Sequence, residues 1–319
     1  MPAPNPKPIE RSLSVDAVDH ANALPPVPPL DDQPTTIDLL ARATGKETAL
    51  VEALLRQEFD QPGSVVRSAL RDRQVQPHVW SDGMERFYRE SDAFCFELAV
   101  WNNDLIKRTL RRWIARWLAR DRISKRVLML GDGIGIDGVH LARCGHEVEA
   151  FELPGPTLEA CRLVHEHDGL QIPLYEQAPD VPTDLYDAIV CLDVLEHVPR
   201  PRAMLQDMRR WLAPGGVVIA SSPFHLVDAR AATHLRANLR YSGRRSLYEK
   251  AGYRIIDGTR WWAPLVLARA DDTDAPEPNE QALKDIAVGG AVLASARFWS
   301  WPVRTLAPSR RSSRRWFGK

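Results

Sequence analysis

From Lys125 onward, short apolar runs alternate with segments of helical periodicity, and this alternation constrains the fold more than any other feature. The runs that read as strands are VLMLG (127–131), EVEAFEL (147–153), AIVCL (188–192) and VVIASS (217–222). Strands separated by helical segments predict a mainly parallel sheet with helices on both faces. Weaker strands at 172–176, 253–257 and 264–269 bring the predicted sheet to seven strands within residues 125–270.

The rest of the chain divides into three regions by composition and periodicity. Residues 1–35 are rich in proline and are predicted to form a disordered leader. Residues 36–124 carry the apolar spacing of helices and predict an all-helical N-terminal region that acts as a cap or lid. Residues 271–319 predict a linker, a helix of small residues and a basic tail.

Charge and cysteine spacing exclude several classes of protein. Lys+Arg and Asp+Glu both number 42, so the formal net charge is zero. The charge of the chain therefore does not indicate a nucleic-acid partner. The four cysteines share no CxxC or CxxxC spacing, and we therefore predict no metal site and no disulfide framework. The chain has neither an apolar run of about 18 residues nor a signal-peptide pattern, which predicts a cytoplasmic location. The basic tail suggests membrane contact, although a solvated tail is the simpler interpretation.

A glycine turn follows the first strand of the predicted sheet. The residues 131–135, Gly-Asp-Gly-Ile-Gly, end a strand and open a helix, which is where nucleotide-type ligands bind at the carboxyl edge of such sheets. In another register, Gly133, Gly135 and Gly138 match the dinucleotide fingerprint. The turn alone therefore leaves NAD, FAD and S-adenosylmethionine open as ligands.

Charge around the turn favours one of these ligands. Asp132 and Asp137 flank it, and no Lys or Arg lies between Gly131 and Gly138. A pyrophosphate at the helix N-terminus would be repelled by these carboxylates, whereas the sulfonium and ammonium of S-adenosylmethionine would not. Glu152 ends the second strand, where a carboxylate can accept hydrogen bonds from both ribose hydroxyls.

Two further motifs narrow the assignment. Residues 186–199 read YDAIVCLDVLEHVP, and residues 212–216 read LAPGG before the fifth strand. With the glycine turn and Glu152, this combination resembles the class I S-adenosylmethionine-dependent methyltransferases of the small-molecule type over about residues 125–270. The resemblance implies a Rossmann-like sheet and a cofactor contacted by Gly131, Gly133, Gly135, Glu152, Leu153, Asp193 and Val194.

The resemblance also implies roles for these positions and shows one departure. Leu153 would lie beside the adenine, and Asp193 and Val194 would line the methionine or sulfonium end. The family usually has an acid two residues before the first glycine, and this chain has Met129. Asp132 is our predicted substitute for the acid that holds the cofactor's amino group.

Candidate catalytic residues lie just after the fourth and fifth strands. His197 and His225 follow them and are the predicted general bases, unless positioning alone suffices for methyl transfer. The helix around residues 80–100 is predicted to close over the site, with Tyr88 reaching the methionine end of the cofactor.

The predicted function is S-adenosylmethionine-dependent methylation of a small molecule at a hydroxyl or amine, in specialised metabolism. One alternative is a non-catalytic cofactor-binding or interaction protein on the same scaffold, motivated by Met129. A second alternative is a nicotinamide-dependent oxidoreductase, because the fold does not determine the chemistry.

Overall fold

A seven-stranded sheet forms the centre of the computed structural model, which describes residues 33–120 and 125–295. The strands are β1 (Arg126–Leu130), β2 (Glu147–Phe151), β3 (Leu174–Tyr175), β4 (Tyr186–Leu192), β5 (Leu212–Ser221), β6 (Tyr253–Gly258) and β7 (Leu265–Arg269). Their order across the sheet is β3-β2-β1-β4-β5-β7-β6. The first five strands are parallel, and β7 runs antiparallel between β5 and β6. The predicted mainly parallel sheet of seven strands is confirmed.

Helices precede the sheet and connect its strands. Six lie before β1: α1 (Gln33–Thr44), α2 (Thr48–Asp60), α3 (Ser64–Asp72), α4 (Asp82–Glu90), α5 (Ala93–Asn102) and α6 (Leu105–Leu118). The others are α7 (Ile136–Arg143), α8 (Pro156–His167), α9 (Pro201–Trp211), α10 (Ser246–Glu249) and α11 (Glu280–Ser295). Within the described ranges, no helix is both long and apolar enough to cross a membrane.

The alternation of side chains along β1 shows how both faces of the sheet are buried. Leu128 and Leu130 share a core with residues of α9, whereas Val127 and Met129 share one with residues of α6 and α7. Successive strand residues point to opposite faces, so a strand that is apolar throughout must be covered on both sides. The sequence analysis grouped α6 with the cap, but the structure packs this helix directly on the sheet.

The helices α1–α5 pack beside the sheet, against the two helices that follow the first two strands. Their common core includes Phe87 and Phe96 from the N-terminal region and Val139 and Leu163 from α7 and α8. Three of the six helices before β1 lie between residues 82 and 118. The first two of these are separated at Ser91, whose hydroxyl accepts a hydrogen bond from the Ala93 amide in place of a helical carbonyl.

Two predicted regions lie at least partly outside the described residues. These are most of the proline-rich leader (1–35) and the basic tail, of which residues 296–319 are not described. The leader's disorder and the tail's membrane contact therefore stay predictions.

Candidate active site

The glycine turn joins β1 to α7 and has the backbone conformation that its sequence predicts. Gly131, Gly133 and Gly135 all have positive φ angles, of 72°, 64° and 86°. A Cβ on Gly131 would come 2.6 Å from Val194 Cγ2, and one on Gly133 would come 2.9 Å from Leu98 Cδ1. Side chains at these positions would combine backbone strain with overlap, so both conformation and space require glycine.

Glu152 meets this turn from the end of β2. Its Oε2 accepts a hydrogen bond from the Gly133 amide at 2.7 Å, and its Oε1 accepts one from the Leu153 amide at 2.9 Å. Burial raises the pKa of the Glu152 carboxyl to about 7, although these two amides act in the opposite direction. The structure thus brings together Glu152 and the glycine turn, which the sequence analysis placed at one edge of the sheet.

Asp132 lies within the turn, but its side chain points inward. Both carboxylate oxygens are 3.1 Å from the Gly138 amide, near the start of α7. Burial, and then repulsion from Asp137, raises the pKa of the Asp132 carboxyl well above its usual range. A carboxyl group held beneath the turn does not face a cofactor lying on it. Our prediction that Asp132 replaces the acid missing at Met129 is therefore corrected, and its observed contact is with the helix N-terminus.

A buried charge network connects Asp193, just after β4, with the helices α5 and α6. Asp193 Oδ2 accepts a hydrogen bond from the Trp101 indole at 2.9 Å and lies 3.6 Å from Lys107 Nζ. Lys107 also pairs with Asp137 at 2.9 Å, and Arg111 Nε pairs with Asp137 at 2.5 Å. Two cations from the N-terminal helices thus lie directly against acids of the sheet domain.

The charges of this network stabilise one another despite their burial. Burial alone would raise the pKa of the Asp137 carboxyl, but Lys107 and Arg111 lower it below its usual range. Burial would likewise lower the pKa of Lys107, and Asp137 and Asp193 raise it instead. The sequence analysis missed both cations. Their only local signal is an i, i+4 pair of basic residues on the apolar face of a helix, which also fits a solvated surface.

Aromatic and imidazole rings form one wall of the site beside Asp193. The Tyr88 hydroxyl lies 2.8 Å from His197 Nδ1, and the Tyr88 ring stacks on Phe94 at 4.9 Å between centroids. The His197 ring in turn meets the edge of His234 at 4.5 Å. The predicted lid helix therefore reaches the carboxyl edge. Tyr88, however, contacts His197, and its predicted contact with a cofactor stays a prediction.

Burial keeps the imidazoles of this wall neutral. It lowers the pKa of His197 to about 4, while nearby Asp193 raises it again in part. Burial and the neighbouring His197 lower the pKa of His234 well below its usual range. Burial also lowers the pKa of His225, which follows β5 as predicted, and Asp228 opposes this shift. At neutral pH each ring is therefore uncharged, with one nitrogen that can accept a hydrogen bond and one that can donate.

The sequence analysis also missed one acid, Glu97. Glu97 lies on α5, one helical turn before Trp101, and is half-buried. Burial, and then repulsion from Glu58, raises the pKa of the Glu97 carboxyl to about 8, and Asp193 is among the charges that act on it. Carboxyl groups thus come from the residues that follow β2 and β4 and from α5.

This arrangement fits the chemistry of S-adenosylmethionine. Glu152 supplies an acceptor for hydroxyl groups beside the glycine turn, and Asp193 supplies negative charge for a cationic ligand. Leu98 of α5 lies against Gly133, so this helix contacts the glycine turn directly.

Comparison with known proteins agrees with this fit. Residues 103–257 match the model of a methyltransferase domain family. The ubiquinone biosynthesis O-methyltransferase of Pectobacterium atrosepticum is 31% identical over 108 residues, which are 33% of this chain and 45% of that protein. The enzyme of the same name from Psychrobacter cryohalolentis is 36% identical over 104 residues, 31% of this chain and 40% of that protein. The chain thus spans less than half the length of these relatives.

Solved structures show a weaker likeness. The 1,6-didemethyltoxoflavin-N1-methyltransferase of Burkholderia thailandensis is 18% identical, with a TM-score of 0.38 over 53% of this chain and 78% of that one. The assignment therefore rests on the family model, the sequence matches and the residues of the site. The family match and the sequence relatives support a class I S-adenosylmethionine-dependent methyltransferase domain over residues 103–257.

Proposed function

We propose that this protein transfers the methyl group of S-adenosylmethionine to a hydroxyl or amine of a small molecule. The observation that carries the proposal is the contact between Glu152 and the Gly133 amide in the turn after β1. Asp193 directly follows β4, the strand that pairs with β1. The contact with Gly133 places the Glu152 carboxylate, which can accept hydrogen bonds from hydroxyl groups, beside the glycine turn. The name of the sequence relatives favours a hydroxyl as the acceptor of the methyl group.

The cofactor, when bound, supplies a methyl group on a cationic sulfur that is already a good leaving group. The chain's part is to bind and orient the two reactants. In the proposal, Gly131, Gly133 and Gly135 let the backbone approach the methionine part, and Glu152 accepts hydrogen bonds from the ribose. Leu153 lies beside the adenine. Asp193 and Val194, which follow β4, line the reactive end.

The Tyr88–His197 pair is the proposed proton acceptor for a substrate hydroxyl. His197 is uncharged at neutral pH because burial lowers its pKa to about 4, so it can take part in proton transfer. The Tyr88 hydroxyl at 2.8 Å holds the ring in place. His225 is the alternative base, on the loop after β5. The stacked Tyr88 and Phe94 rings favour a substrate with an aromatic ring.

A non-catalytic cofactor-binding protein is the second candidate, and one observation favours it. The chain's own Lys107 already pairs with Asp137 and lies 3.6 Å from Asp193, while Met129 stands where the family usually has an acid. In this reading, the acids near the cofactor's ammonium are already neutralised. A nicotinamide-dependent oxidoreductase is disfavoured, because the sequence relatives are named as methyltransferases.

One experiment separates the three functions. Calorimetric titration with S-adenosylhomocysteine and with NAD identifies the ligand, and incubation with S-adenosylmethionine and a panel of small phenols and amines tests for methylated products by mass spectrometry. Binding of S-adenosylhomocysteine together with formation of a methylated product supports the proposal. Binding without product from any class of acceptor supports the second candidate, and binding of NAD alone would overturn both. A cytoplasmic location is also part of the proposal, and fractionation of cells that express the chain tests it.

A further inference from the structure

Three buried side chains meet at the glycine turn. Asp132 comes from the turn, and Cys161 and His165 come from one face of α8, four residues apart. All three are at least nine-tenths buried, with exposed fractions of 6%, 0% and 3%. Their polar atoms lie within 4.8 Å of one another.

The distance between the cysteine and histidine ligand atoms matches a metal site, and the aspartate lies slightly farther away. Cys161 Sγ is 3.5 Å from His165 Nε2, and His165 Nε2 is 4.0 Å from Asp132 Oδ2. Around a tetrahedral zinc ion, the usual ligand bond lengths place neighbouring sulfur, nitrogen and oxygen atoms roughly 3.3–3.6 Å apart. The cysteine–histidine pair already has this separation. Asp132 Oδ2 lies outside this range and would have to approach His165 Nε2 when an ion binds.

The surrounding backbone leaves room for this cluster by using glycine. A Cβ on Gly135 would come 2.9 Å from His165 Nε2 and 3.0 Å from Cys161 Sγ, and one on Gly138 would come 2.4 Å from Asp132 Oδ2. The Gly138 amide also donates to the carboxylate and fixes its orientation. In metal sites, an outer hydrogen bond of this kind holds a ligating group in position.

We propose that Asp132, Cys161 and His165 form a zinc site that fastens α8 to the glycine turn. A thiolate, an imidazole and a carboxylate are the three ligand types that zinc accepts, and the sulfur disfavours magnesium and calcium. The thiolate and the carboxylate together balance the two charges of the ion, and their protons pass to solvent when the ion binds. Three protein ligands leave a fourth position for water.

The proposed site is independent of the proposed methyl transfer, and it differs from our expectation from cysteine spacing. That expectation considered pairs of cysteines, whereas this cluster uses one cysteine, a histidine on the next helical turn and an aspartate from a distant turn. Its role would be structural. It would hold the glycine turn in place through the residues beside Gly135 and Gly138.

The test uses the full chain, with zinc and cobalt(II) as the probes. Elemental analysis after dialysis against zinc is expected to give one equivalent per chain, and X-ray absorption at the zinc edge is expected to show one sulfur neighbour with nitrogen and oxygen. The cobalt(II) form should show a thiolate charge-transfer band. Failure of the folded wild-type chain to bind an equivalent of either metal, or a sulfur count other than one, would overturn the proposal.

Variants then assign the ligands. Cys161→Ser should abolish the charge-transfer band, whereas Cys144→Ser, at another buried free cysteine, should retain it. His165→Gln should weaken cobalt binding by more than the roughly 10- to 100-fold that loss of an outer hydrogen-bond partner costs. A band that persists in Cys161→Ser would refute the site. If that variant does not fold, His165→Gln and the sulfur count of the wild-type chain still decide the question.

Discussion

Replacing Glu152 with alanine tests the centre of the proposed cofactor site. In the structure, the carboxylate accepts hydrogen bonds from the Gly133 and Leu153 amides. It is also the proposed acceptor for the ribose hydroxyls. Glu152→Ala removes all of these contacts, so both binding and stability are expected to fall.

The size of the effect on binding follows from the lost hydrogen bonds. Ribose hydroxyls left without their partner are expected to cost about 1–3 kcal/mol, which corresponds to roughly 5- to 150-fold in dissociation constant. The substitution also leaves two backbone amides without an acceptor. This should lower the free energy of unfolding by about 1–3 kcal/mol.

The pKa of Glu152 adds a pH dependence with a definite sign. Because burial raises this pKa to about 7, the carboxylate form that accepts two hydrogen bonds is the minor form at pH 6 and the major form at pH 8. Cofactor affinity should therefore increase by up to about tenfold over this interval in the wild-type chain. In Glu152→Ala this component should be absent. Glu97→Gln separates the contribution of Glu97, whose pKa is about 8.

Calorimetry with S-adenosylhomocysteine at pH 6, 7 and 8 measures the dissociation constant and its pH dependence. Urea denaturation measures the free energy of unfolding. Glu159→Ala is the matched control, since Glu159 is an exposed glutamate on the neighbouring α8. A folded Glu152→Ala variant that binds within twofold of wild type, with the same pH profile, would remove Glu152 from the site and refute the reasoning.

Three further predictions concern the turn, the buried charges and the proton acceptor. Gly133→Ala should abolish cofactor binding, because alanine would have to adopt a positive φ while its Cβ overlaps Leu98. The control is Gly45→Ala, where φ is 66° and the Cβ would meet open space, and it should leave the affinity measured by calorimetry unchanged. Lys107→Met should lower the free energy of unfolding by about 2–4 kcal/mol in urea, because it leaves buried carboxylates less compensated; a change below 1 kcal/mol, roughly, would contradict this. Tyr88→Phe should lower kcat, because it removes the hydroxyl that contacts His197, and an unchanged kcat would exclude that contact from catalysis.

Local patterns were sufficient to predict the sheet and one corner of the site. Apolar runs bounded by glycine and proline identified the strands, and the spacing of Gly133 and Glu152 placed both at the carboxyl edge. Adjacent parallel strands end at the same edge of a sheet, so residues that follow them must be neighbours. For the same reason, the positions of His197 and His225 after β4 and β5 were predictable.

Only the tertiary structure decided the remaining contacts. The insertion of β7 between β5 and β6, the inward direction of Asp132 and the pairing of Lys107 with Asp137 have no local sequence signal. The same holds for the meeting of Asp132 with Cys161 and His165. Short-range periodicity determines which face of an element is buried, but it carries no information about which distant element covers that face. That choice depends on how all the helices and strands pack together, because each buried charge or polar group needs a partner that packing brings within a few ångströms.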